Sequence, residues 1–143
     1  MRQYFSFLLA VVLLVSCIGC RSGEEHYYVL QQHTAQIDKI EVIALVDMYS
    51  SDAARYVVLT EIDKEQYDRF VADLTSLPYH DIINPPRSAM GEFCVKIYYF
   101  DGTYEIVSAD GSYDSARDSY DGWWCFDTTE FYAFLQSYGV DTE

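Results

Sequence analysis

Basic residues are scarce: 9 Lys and Arg stand against 23 Asp and Glu, a formal net charge of −14 in 143 residues. This excludes nucleic acid as a partner, because phosphates demand a basic surface. Histidine is scarcer still, at 3 residues. His26 and His33 fall in the polar amino-terminal region, which leaves His80 as the one imidazole expected inside the domain. No HExxH, no Gly-x-Ser-x-Gly elbow, no glycine-rich phosphate loop and no dinucleotide fingerprint occurs. No cofactor, no metal and no catalytic constellation is therefore expected. Long apolar runs are missing too. The longest, residues 5–15 with Ser6 inside it, has about eleven residues, where a membrane-spanning helix needs about 20.

What the chain does have starts at its amino end. Met1 and Arg2 precede that apolar run, giving the basic start and short apolar core of an export signal. Leu14-Val15-Ser16-Cys17 follows: an aliphatic residue, two small or β-branched residues, then cysteine. This resembles the lipobox of bacterial lipoproteins. The resemblance is confined to the first seventeen residues. It implies a diacylglyceryl group on the Cys17 sulfur, cleavage just before it, and a mature chain held on the extracytoplasmic face of the cell membrane. Cys20, after Ile18-Gly19, is the alternative lipid site, with Cys17 then in the aliphatic position. No basic patch follows, so two acyl chains alone must supply the anchoring.

The rest of the chain reads as a polar tether, 17–36, and a single domain, 37–143. The 14 Tyr and 8 Phe exclude a disordered acidic tail, since such tails are poor in aromatics. Cys94 and Cys125 offer a disulfide across a loop of about 30 residues, worth on the order of 3 kcal/mol. Two buried thiols acting as small hydrophobes are the equal alternative. Cysteine parity favours the disulfide if Cys20 carries the lipid, and leaves an odd thiol if Cys17 does.

Residues 37–46 alternate, with Ile40, Val42, Ala44 and Val46 on one face, and predict a strand. After a polar turn at 47–52, residues 55–62 predict its hairpin partner. Asp63 and Gln66 then form a capping box, with Ile62 and Tyr67 as a hydrophobic staple. Tyr67, Phe70, Val71, Leu74 and Leu77 make the apolar stripe of a helix that Pro78 ends. Residues 78–92 and 108–122 read as long loops. Between them lies a hairpin around Asp101-Gly102. Pairing Phe100 with Thr103 puts Val95, Ile97, Tyr99, Tyr104 and Ile106 on the core face, and Cys94, Lys96, Tyr98, Glu105 and Val107 on the other. A short strand at 123–126 precedes a second helix, capped by Asp127 with Glu130, stapled by Phe126 and Phe131, and stopped by Gly139.

The expected fold is α+β: a mostly antiparallel sheet of four to five strands with two helices packed on one face, in the order ββα-ββ(β)α. Within it, the candidate binding patch is Tyr113, Tyr120, Trp123 and Trp124, where aromatics interleave with acids. The expected role is a non-enzymatic interaction domain. Its partners are the membrane, through the lipid, and a protein or envelope component. One alternative is a small envelope-polymer hydrolase using His80 or the loop acids Asp110, Asp114, Asp118 and Asp121. The other is a structural factor in a membrane complex.

Overall fold

The computed structural model describes residues 25–45, 56–84 and 90–143. The export signal, Cys17, Cys20 and the turn at 47–52 lie outside the described residues. Among the described residues, nine strands and two α-helices follow in the order β1 (His26–Tyr27), β2 (Ile37–Leu45), β3 (Tyr56–Glu61), α1 (Tyr67–Thr75), β4 (Pro78–Asp81), β5 (Phe93–Tyr99), β6 (Tyr104–Ser108), β7 (Gly111–Asp114), β8 (Ser119–Asp121), β9 (Trp124–Phe126) and α2 (Thr128–Ser137).

These strands correct the expected single sheet of four to five strands with two helices on one face. They form two sheets: six strands in the order β3-β2-β5-β6-β7-β8, and three in the order β1-β4-β9. Every pairing is antiparallel. The difference arises in the segments read as loops. β4 lies within 78–92, and β7 and β8 lie within 108–122. At four, four and three residues, they are too short and polar to show the alternation that marks a strand in sequence. Their neighbours in the sheets supply the hydrogen bonds that hold them extended.

The hairpin of β5 and β6 forms where Asp101-Gly102 predicts it, but one residue out of register. Tyr98 pairs with Tyr104 and Val95 with Val107. The loop is therefore Phe100-Asp101-Gly102, closed by Tyr99 N–H donating to the Thr103 carbonyl at 2.9 Å. Gly102 at φ +86° takes the left-handed position that such a three-residue loop requires. A slip of one residue turns every side chain of β6 to the other face. Val107 and Glu105 thus join Val95, Ile97 and Tyr99 on the core side, while Tyr104 and Ile106 join Lys96 and Tyr98 on the outer side.

The core gathers the inner face of the larger sheet (Ile40, Val42, Val95, Ile97, Val107) with both helices and the smaller sheet. Phe70 and Leu74 of α1, Phe131 and Leu135 of α2, and Trp124 and Phe126 of β9 are all buried there. The two helix starts differ. Asp127 accepts from the Glu130 N–H at 3.1 Å, and Phe126 stacks on Phe131 with ring centroids 5.5 Å apart. Asp63 makes no side-chain cap bond, and a 3-10 turn, Lys64–Gln66, leads into α1. Tyr28, from the segment read as tether, is also buried in this core.

Candidate functional site

The four aromatics of the expected patch part company. Trp124 on β9 is 6% exposed and packs against Tyr28, Tyr79 and Phe126. Tyr113 on β7 is half-buried and donates to Asp118 at 2.8 Å, and its ring lies 6.0 Å from that of Tyr104. Tyr120 on β8, opposite Tyr113, donates to the Asp110 carbonyl at 2.7 Å. Trp123 alone faces solvent, at 62% exposure. Its backbone is tied on both sides: its N–H donates to Asp121 at 3.2 Å, and its carbonyl accepts from Ile82 N–H at 2.7 Å. Strand alternation explains the split, since Trp124 and Phe126 point inward from β9.

Of the residues of the hydrolytic alternative, Asp114, Asp118 and Asp121 serve local structure. His80 lies exposed on β4, opposite Cys125 of β9. Asp114 accepts from Ala116 N–H and sits 3.6 Å from Arg117. Asp118 holds Tyr113, and Asp121 holds the Trp123 backbone. Among the described residues no group of three or more His, Cys, Asp and Glu is placed to hold a metal. Cys94 and Cys125 are free thiols. Burial pushes the Cys94 thiol up to about 12, and also raises Cys125.

Two clusters that no motif announced come from the hairpin register. On the core side, Glu105 is fully buried. It accepts from the hydroxyls of Tyr28 and Tyr99, and from Gln31 N–H at 3.1 Å. This clasp fastens the amino-terminal segment to the sheet. Burial raises the Glu105 carboxyl against the pull of those donors. Glu105 and Lys96, expected on one face of the hairpin, lie on opposite faces of the sheet.

On the outer side, Lys96 is 7% exposed, and its ammonium lies 4.3–4.7 Å from the ring centroids of Tyr56, Tyr98 and Tyr104. Three aromatic faces thus replace much of its water by cation–π attraction. Lys39 lies 2.7 Å from Glu41, and the Tyr98 hydroxyl donates to Glu41 at 2.8 Å. Burial favours a neutral Glu41, but the Lys39 and Tyr98 contacts outweigh it and hold its pKa below the ordinary value. Strand alternation alone places Lys96 with Tyr98; adding Tyr104 needs the true register.

No protein-family model, no curated protein and no solved structure matches this chain. Among the described residues, no helix is long and apolar enough to cross a membrane.

Proposed function

We propose that this chain is a lipid-anchored extracytoplasmic binding domain, without catalytic activity, that docks a cationic protein segment around Trp123. The observation that carries the reading is the exposure of Trp123 on a backbone held at both its N–H and its carbonyl. A large ring on a fixed mount offers much contact area for little loss of freedom, and tryptophan is enriched among residues that dominate interface energies. The exposed acid Asp121, which accepts from its N–H, stands beside it. The net charge of −14 attracts a cationic partner and repels an acidic one. The anchor is the lipid on Cys17, with Cys20 as the alternative.

Trp124 is buried, so acrylamide quenching of the full chain in detergent reports chiefly Trp123. An oligo-arginine peptide is expected to protect that fluorescence at low salt and to lose the effect as salt rises. In Trp123→Ala the protected component disappears. Quenching that is unchanged by the peptide at any salt concentration would overturn the proposal.

A further inference from the structure

We infer that the β3 edge of the six-stranded sheet is a strand-addition site for an extended cationic segment of another protein. Among the described residues β3 pairs with β2 alone, so one row of its backbone donors and acceptors faces outward. Tyr56, Val57, Val58, Leu59 and Glu61 are all exposed, and only Thr60 is half-buried. Proteins usually blunt such an edge with lysine, proline, a β-bulge, a very short strand or a covering element. β3 contains neither lysine nor proline; its one bulge, at Leu59 opposite Val42 and Ile43, leaves Tyr56, Val57 and Val58 in regular register. The other edge of the same sheet shows the contrast: β8 is three residues long and reads Ser-Tyr-Asp.

The pairing with β2 shows what an added strand would meet. Tyr56 lies opposite Leu45 and Val58 opposite Ile43 on the outer face, beside the tyrosines around Lys96. Val57, opposite Ala44, points the other way. The first half of the edge is therefore apolar on both faces. Its far end is acidic. Glu61 lies directly opposite Glu41, and exposed Asp63, Lys64 and Glu65 follow it, a net acidic run. Glu41 has Lys39 at 2.7 Å, whereas no ion pair is formed by Glu61 among the described residues. An incoming strand with a lysine or arginine near Glu61 and aliphatic residues along Val57 and Val58 satisfies both halves; main-chain hydrogen bonds then give affinity and alternate side chains give specificity.

A second copy of the chain fits less well. Symmetric antiparallel pairing sets Tyr56 against Glu61 and brings together two acidic rims, on chains that each carry −14. Like charges held that close oppose association. The site does not rest on the Trp123 reading, because Trp123 follows β8 at the opposite edge.

The test is amide hydrogen exchange on the full chain in detergent, with a peptide of alternating valine and lysine as probe and its valine–glutamate analogue as control. The lysine peptide is expected to slow exchange across residues 56–61 about tenfold when present at ten times its Kd, and the glutamate peptide to leave it unchanged. Val57→Lys and Leu59→Lys alter exposed side chains, so each variant is expected to keep its circular dichroism and lose the slowing. Trp123→Ala is expected to retain it, which separates failure of this site from failure of the indole site. Three outcomes overturn the inference: no slowing by the lysine peptide, equal slowing by both peptides, or concentration-dependent slowing without peptide that accompanies a dimer in sedimentation.

Discussion

Glu105 shows how a single buried carboxylate couples stability to pH. Removal from water raises its pKa, and this outweighs the Tyr28, Tyr99 and Gln31 donors that favour the charged form. A carboxyl whose pKa is higher folded than unfolded binds more protons in the folded state, so stability falls as pH rises from the unfolded value through the folded one. Urea midpoints of the native chain should therefore fall relative to Glu105→Gln as pH climbs above about 4.3, the ordinary glutamate value. Parallel curves for the two proteins would falsify the raised pKa. Glu105→Ala is expected to cost about 3 kcal/mol or more at neutral pH, because it leaves several buried donors without an acceptor. The two thiols make a second prediction at this scale. Cys94 is buried, bonded to the Gly91 carbonyl at 3.2 Å and shifted to about 12, so iodoacetamide at neutral pH should label half-buried Cys125 first. Failure of both to label until a reductant is added would demonstrate the disulfide instead.

At the scale of elements, the two helices begin with the same signals and use them differently. Asp127 forms its cap bond and Asp63 does not. Asp127→Ala is therefore expected to cost about 1 kcal/mol, and Asp63→Ala clearly less, both measured by urea unfolding. The two hairpin glycines separate similarly. Gly102 sits at φ +86° in open space, so alanine there meets only backbone strain, of about 1–2 kcal/mol. At Gly111, φ is +130° and an added Cβ lies 2.3 Å from the Asp121 carbonyl oxygen in the neighbouring strand. Gly111→Ala is expected to be the more damaging of the two, because strand β8 must move to admit it.

Across the whole molecule, charge sets the conditions for any partner. Surface attraction from the net charge of −14 is screened over about 10 Å at 0.1 M salt. Binding of cationic segments at either edge of the large sheet should therefore weaken as salt rises. Mass spectrometry of the mature amino-terminal peptide tests the anchor. A diacylglyceryl group is expected on Cys17, and finding it on Cys20 instead moves the lipid site by three residues and leaves Cys94 and Cys125 as an even pair.

The local pieces legible in the sequence are those whose signals are complete within a few residues. Alternation marks β2 and its hairpin partner β3, the Asp-Gly turn marks β5 and β6, apolar spacing marks α1, and Phe126 with Phe131 marks a staple that forms as a ring stack. Tertiary structure decided everything that depends on partners distant in sequence. β4, β7 and β8 are strands because neighbouring strands complete their hydrogen bonds, not because their own residues demand it. Tyr28 and Gln31 join the fold because Glu105 receives them. Glu105 itself is inside because the hairpin loop closes on Thr103 with one residue more than the Asp-Gly turn implies. With a side-chain period of two, that single residue separates a surface ion pair with Lys96 from a buried carboxylate held by two tyrosines.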